Sequence, residues 1–331
     1  MKIIPVFLPY AGCKRRCVFC DQISATGVKR IPTLEELDSL VREYEKTGKG
    51  YELAFYGGTF TGLPEDKQKE YLKWAQKWIN EGVVESIRIS TRPDEIDEEK
   101  LLFLKDNCVK IVEIGVQSFF DDVLEASKRE YTAEDALKAC HLVKKMGLVL
   151  GVHLMIGLPK DSRAKDIVSA LKCVEVRSDL VRIHPALVFK GAELFRMMEK
   201  GLYTPMDLEE ALDITSDMVI ILEGHGVKVI RLGYYVPQER IHTVMGGPYH
   251  PSFGDMVRAR VVRKVIEYFE PESLMVPQRY ISWFFSYGNK NLVEGKLQEG
   301  TDEIVFLKKG RQLTFREVLK IVSGVILSQV T

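Results

Sequence analysis

Three of the six cysteines fall within eight residues near the start of the chain, in the stretch YAGCKRRCVFCDQ. Cys13, Cys17 and Cys20 are spaced C-x3-C-x2-C, with Phe19 directly before the last of them. Clustered thiols in a reducing compartment more often bind metal or do redox chemistry than form disulfides. Three ligands do not close a structural zinc site, and electron-transfer clusters normally take four protein ligands. A 4Fe-4S cluster held by three cysteines leaves one iron open for a further ligand. The other reading is a redox or zinc loop completed by a distant His or Cys. Cys108, Cys140 and Cys173 stand singly in apolar segments. They are expected to be small buried apolar residues.

The elements that must position this loop are legible as alternating short apolar runs and longer segments of helical period. Strands are expected at Ile3 to Leu8, Glu52 to Tyr56, Ser86 to Ser90, Ile111 to Val116, Leu148 to Met155 and Leu180 to Pro185. Thr33 with Glu36, Thr132 with Asp135 and Thr204 with Asp207 each place a hydroxyl three residues before a carboxylate, the pattern of a helix start, and Gly147 stops one helix. The six strand-helix units are read as lacking a half-exposed alternation, which implies a parallel sheet with helices outside, curled into a barrel or open. The cysteine loop then follows the first strand, at the carboxyl edge where such folds hold their sites. After about Leu232 the rhythm fails, so a boundary is placed between a core, 1–233, and an extension, 234–331.

Composition sets outer limits. A chain of 331 residues with 46% hydrophobic content fits one large α/β barrel or two domains. Its 47 basic and 47 acidic residues balance, which excludes an overall electrostatic drive toward nucleic acid or anionic membranes and leaves only local basic groups. No apolar run approaches the roughly 20 residues of a membrane span, and the opening segment does not read as a secretory signal. A cytoplasmic location without membrane attachment is expected.

C-x3-C-x2-C with an aromatic before the last cysteine resembles the signature of the radical S-adenosylmethionine (radical SAM) enzymes, whose cluster's open iron is chelated by the cofactor's amino and carboxylate groups. The family's Gly-Gly stretch at the end of the second strand is similar to FYGGTF, Phe55 to Phe60. STRPDEID (Ser90 to Asp97), VEIGVQSFFDDVLEASKREYT (Val112 to Thr132) and GVHLMIGLPKDS (Gly151 to Ser162) resemble the branch of the Elongator catalytic subunit and oxygen-independent coproporphyrinogen III oxidase. The likeness runs from about Ile3 to Val257. It implies an α/β fold, a partial parallel (β/α)6 barrel with a small C-terminal α+β extension.

The same resemblance implies a 4Fe-4S cluster on Cys13, Cys17 and Cys20, with S-adenosylmethionine beside it. Phe19, Gly57, Gly58, Thr59, Ser90, Gln117, Arg129 and His153 are expected to line the cofactor's pocket. Gln117 should meet the ribose and Arg129 the carboxylate, an amide pairing a diol and a guanidinium forking onto an anion. Gly57 and Gly58 would let backbone carbonyls approach the cofactor's amine. Ser90 stands where the coproporphyrinogen oxidase pattern carries a ribose-binding glutamate. The Elongator pattern continues into an acetyltransferase domain, for which the chain is expected to lack room. The implied activity is reductive cleavage of S-adenosylmethionine to a 5'-deoxyadenosyl radical, with tRNA as a candidate substrate and ferredoxin or flavodoxin as a candidate electron donor. The alternatives are a coproporphyrinogen oxidase-like enzyme acting on a small molecule and a non-catalytic iron-sulfur electron carrier.

Two later segments carry nucleic-acid hypotheses of their own. Arg260, Arg263 and Lys264 share a helical face, with Arg258 beside it, and could contact phosphates. Trp283, Phe284, Phe285 and Tyr287 could stack bases, although core packing is the more ordinary fate of aromatics.

Overall fold

Every expected strand segment forms a strand of one parallel sheet: β1 (Lys2–Phe7), β2 (Tyr51–Tyr56), β3 (Val84–Thr91), β4 (Val109–Gln117), β5 (Val149–Ile156) and β6 (Leu180–Pro185). The structure, a computed structural model, describes residues 2–300 and 302–329; the outer ends of the two expected segments, residues 1 and 330–331, lie outside it. After the short β7 (Val188–Phe189), the strand β8 (Lys228–Leu232) adds itself in parallel to β6. The order β1-β2-β3-β4-β5-β6-β8 is therefore seven strands long. The short KVIRL run between Gly226 and Gly233 carries two charges in five residues, which hid the seventh from an apolar-run reading.

These strands alternate in polarity, although β3 and β4 bury most of both faces, so the alternation there is not a half-exposed one. Ile87, Ile89, Val112, Ile114, Val116, Val181 and Ile183 are buried in the main hydrophobic core, which lies between the sheet and its helices. Between them stand Arg88, Ser90, Glu113, Gln117, Arg182 and His184. These polar positions face the concave side. The curl is measurable. Arg182 on β6 donates to the Tyr56 hydroxyl on β2 at 2.5 Å, although four strand spacings of about 4.8 Å each would hold them far apart in a flat sheet. The half-barrel is thus polar inside and apolar outside.

Helix starts follow their side chains. Thr33 with Glu36 and Thr132 with Asp135 form reciprocal capping boxes. The helix Leu208–Gly224 begins three residues later than expected, because Asp207 itself accepts from the Glu210 amide at 2.8 Å and acts as the cap in place of Thr204. Gly147, at φ 72°, ends the helix Ala133–Lys145 as expected. No described helix is long and apolar enough to cross a membrane.

Past β8 the chain forms β9 (Val244–Gly246), antiparallel to β7, and then the helix Phe253–Phe269. A second sheet follows, with β10 (Ser273–Pro277), β11 (Leu297–Gly300), β12 (Val305–Lys308) and β13 (Arg311–Thr314) in the order β11-β10-β12-β13. The helix Phe315–Ser328, capped by Thr314 with Glu317, buries Val318, Leu319, Val322 and Ile326. It crosses the helix Leu208–Gly224 at Gly224, where an added Cβ would lie 2.9 Å from the Lys320 amide nitrogen.

The loop after β5 leads to a buried carboxyl pair. Burial pushes the Asp166 carboxyl well above its usual range, and neighbouring Asp161 pushes it further; burial raises Asp161 too. In the fold this pair therefore holds protons more tightly than in the unfolded chain, so its own contribution to stability falls as pH rises above about 4. Asp166→Asn, which mimics the protonated state, should melt higher than wild type at pH 7, and the gap should close as pH drops below about 4. Parallel melting curves across that range would contradict the pairing.

Candidate active site

The eleven residues singled out from the sequence come together. Cys13, Cys17, Cys20, Phe19, Gly57, Gly58, Thr59, Ser90, Gln117, Arg129 and His153 all line one cavity of about 350 Å³ at the carboxyl ends of the strands. Residues of β1 to β6 contribute to its wall, from Phe7 on the first to His184 on the sixth.

The cysteine loop is seated by its neighbours. Tyr10 takes a left-handed φ of 57°; its amide donates to the Gln22 side-chain oxygen and its hydroxyl accepts from the Gln22 amide, both at 2.8 Å. The Thr59 amide donates to the Ala11 carbonyl at 2.7 Å. A Cβ on Gly58 would stand 2.1 Å from that same carbonyl oxygen. The glycine is therefore required for the loop to lie on the end of β2, a different reason from the ligand approach expected. The Gly57 carbonyl, for its part, accepts from the Gln22 side-chain amide. Asp21 fixes the loop's far end, accepting from the Ser24 and Gly191 amides at 3.0 and 2.9 Å.

Each thiol has a distinct setting. Cys13 Sγ lies 3.3 Å from the Thr59 hydroxyl, and Cys17 Sγ accepts from Arg129 Nη1 at 3.0 Å. Burial pushes the Cys20 thiol up to about 12, with the Cys17 and Cys13 charges acting the same way. Three thiolates side by side are unfavourable unless positive metal compensates them. Among the described residues no group of three or more His, Cys, Asp or Glu is arranged around a single metal ion. A cluster, which gives each thiolate its own iron, suits this donor set better than one ion does. Cys140 and Cys173 are buried as expected, whereas Cys108 is exposed at φ 66°, in the turn after the helix Glu98–Asp106.

Gln117 ends β4 at φ 69°, and its side-chain oxygen is buried with no hydrogen-bond partner. Such an atom costs free energy unless a ligand donor meets it. Arg129 is buried, and three of its five N–H groups go to Cys17, the Tyr131 hydroxyl and the Gly115 carbonyl. Two remain for an anion. His153 Nε2 and His184 Nδ1 are 3.0 Å apart. Burial, followed by Arg182 and Arg129, lowers His153 to about 3, and burial takes His184 well below its usual range. Both imidazoles are neutral at pH 7 and work as hydrogen-bonding groups.

Beneath the cavity lies a network that the sequence reading missed. Arg88 pairs with Glu52 at 2.6 Å and Glu113 at 2.9 Å, and Arg182 pairs with Glu113 at 2.5 Å. Gly151 makes room for it, since a Cβ there would come within 3.1 Å of the Glu113 side chain. The signal was the polar residue at every second strand position. Tyr10, Gln22, Tyr56, His184 and Tyr234 also line the site without having been singled out.

The basic face on the helix Phe253–Phe269 is closed. Arg258 pairs with Glu223 at 2.6 Å, Arg260 with Glu209 at 2.5 Å, and Lys264 with Asp213 and Asp217 at 2.7 Å. Arg263 donates to the Tyr287 carbonyl at 2.6 Å. Of the aromatic group, Phe284 is in the core and Trp283 lies under Arg258, while Phe285 and Tyr287 are partly exposed.

The comparisons with known proteins agree with this geometry. The Radical SAM superfamily model matches residues 7–171, and the Radical SAM C-terminal domain model matches residues 178–263. The tRNA uridine(34) acetyltransferase of Methanocaldococcus jannaschii is 32% identical over 200 residues, covering 53% of this chain and 37% of that protein. Elongator complex protein 3 of Mus musculus is 26% identical over 251 residues, covering 69% of this chain and 44% of its own. The match thus spans less than half the length of either relative. The solved structure of archaeal Methanocaldococcus infernus Elp3 with an N-terminal deletion superposes with a TM-score of 0.66 at 24% identity, over 79% of this chain and 63% of that one, and so shares the fold. With both models matched and three thiols on the loop after β1, the chain belongs to the radical SAM superfamily and is an enzyme.

Proposed function

We propose that Cys13, Cys17 and Cys20 hold a 4Fe-4S cluster, that S-adenosylmethionine fills the cavity beside it, and that the substrate is an RNA of the tRNA class. The observation that carries the reading is the convergence of three thiols and the unpartnered Gln117 oxygen on one cavity. Bound together, cluster and cofactor supply reductive cleavage to a 5'-deoxyadenosyl radical that takes hydrogen from the substrate. The protein's part is to bind, orient and exclude water.

Gln117 presents its side-chain oxygen to a ribose hydroxyl, and Arg129 keeps two N–H groups for a carboxylate while Nη1 holds the Cys17 sulfur in place. Phe19 and Tyr234 each pack against the cluster that includes Val188 and Phe189. Gly57, Gly58 and Thr59 seat the loop, and Ser90 and His153 line the pocket without charge. In this reading 1–233 is the cofactor-binding core and 234–331 an extension that locks the loop, as Arg240 does by donating to the Ile23 and Ser24 carbonyls at 2.9 and 3.1 Å. The RNA assignment is supported by the name of the archaeal relative, a tRNA uridine(34) acetyltransferase. An external one-electron donor such as ferredoxin or flavodoxin completes the reaction.

Calorimetry under nitrogen tests the pocket. Gln117→Ala in cluster-loaded protein should weaken S-adenosylmethionine binding by about 1 to 3 kcal/mol, roughly five- to 150-fold. Unchanged affinity would mean that the pocket is misassigned. No measurable affinity in wild type would favour an electron carrier instead.

A further inference from the structure

The concave face is not electrically balanced. Its central network sets two guanidiniums, Arg88 and Arg182, against two carboxylates, Glu52 and Glu113, and a third guanidinium, Arg231, lies beside it on β8. Arg88 and Arg182 consume both acids. Arg231 stands opposite Arg182 in the register of β8 on β6, and among the described residues its side chain reaches only the Gly233 carbonyl, at 3.3 Å. Two guanidiniums on adjacent strands repel one another: partial desolvation first and Arg182 second act against the Arg231 charge, although the residue still opens to solvent. An incoming anion at Arg231 would relieve both effects.

Immediately after Arg231 the chain turns through Leu232 and Gly233 into Tyr234 and Tyr235, which line the cavity. Tyr234 packs inward, its ring 4.4 Å from His184, and His184 keeps a buried Nε2 without a partner. Tyr235 is 74% exposed at the same wall. A large aromatic left open at the cavity wall, four residues after a cation with no carboxylate paired to it among the described residues, has the chemistry of a base-stacking platform with a phosphate anchor. The basic helix face and the Trp283 group have no comparable opening, since intramolecular partners already occupy their cations.

We propose that the β8 edge of the cavity receives single-stranded RNA, with a backbone phosphate on Arg231 and an adjoining base stacked on Tyr235. This rests on the RNA reading above and adds where the strand is gripped. The stacked nucleotide stands at the mouth of the cavity, outside the space assigned to the cofactor. Both residues are exposed, so their substitution leaves the core intact.

The test is fluorescence anisotropy on cluster-loaded protein, using a labelled RNA hairpin with a single-stranded loop and a blunt duplex of the same stem at several salt concentrations. Wild type should prefer the looped hairpin. Tyr235→Ala should weaken that binding about five- to 150-fold, with recovery in Tyr235→Phe. Arg231→Gln should lower the log-log salt slope by about 0.7, one phosphate's worth on a single strand. Arg260→Gln should change neither. If wild type binds the hairpin but Tyr235→Ala and Arg231→Gln bind as tightly with the same slope, the subsite is wrong and the RNA reading survives. If wild type fails to bind the hairpin at low salt, both fall, and a small carboxylate-bearing substrate becomes the better match to Arg231.

Discussion

Alanine at any one of Cys13, Cys17 or Cys20 is expected to abolish iron loading, where wild type reconstituted without oxygen should take up about four irons per chain, as a 4Fe-4S cluster requires. The effect is all-or-none because a site with three protein thiolates has none to spare. Cys108→Ala, Cys140→Ala and Cys173→Ala should load as wild type does. The first is exposed and the other two are buried in the core away from the loop. Iron analysis together with the visible absorbance of the cluster reads both. Full loading in all three loop variants would remove the cluster assignment.

The second large effect is on stability. Glu113 joins Arg88 to Arg182 inside the half-barrel, with side chains between 5% and 16% exposed. Glu113→Ala strips both guanidiniums of this partner, and breaking a buried pair by removing one member costs about 3 to 5 kcal/mol. Lys67 and Glu70, paired at 2.7 Å on the surface and both more than 40% exposed, offer the contrast. Removing Glu70 should cost about 1 kcal/mol or less. Urea unfolding monitored by circular dichroism compares them. A loss below about 1 kcal/mol for Glu113→Ala would mean that the network is decoration on a fold held by its apolar face.

The contrast between these two predictions shows what the sequence could carry. The cysteines were legible because their spacing is local and one loop holds them all. Gln117, Arg129 and His153 came from the resemblance alone; nothing in their own neighbourhood announces a left-handed Gln117 or an unpartnered amide oxygen. Glu113 and Arg182 were hidden for another reason. Their partnership crosses strands, and only the curl that joins Tyr56 to Arg182 makes one network of them. Their alternation with Val112, Ile114, Val181 and Ile183 was visible. The face of Arg260, Arg263 and Lys264 shows the opposite limit: a helix's charge pattern is local, whereas Glu209, Asp213 and Asp217, which pair with two of its three members, lie on the helix Leu208–Gly224. A further reason for Gly58 was out of the sequence's reach, since the Ala11 carbonyl that excludes a side chain there belongs to a loop some 47 residues earlier.

The central claim is that this site cleaves S-adenosylmethionine by one-electron reduction, and one measurement reaches it directly. Cluster-loaded protein is incubated anaerobically with S-adenosylmethionine and dithionite, and 5'-deoxyadenosine is quantified by mass spectrometry. The account predicts 5'-deoxyadenosine in wild type only when reductant is present, and none from Cys13→Ala. Wild-type protein carrying a full complement of iron that yields no 5'-deoxyadenosine under these conditions, with or without added tRNA, would contradict it.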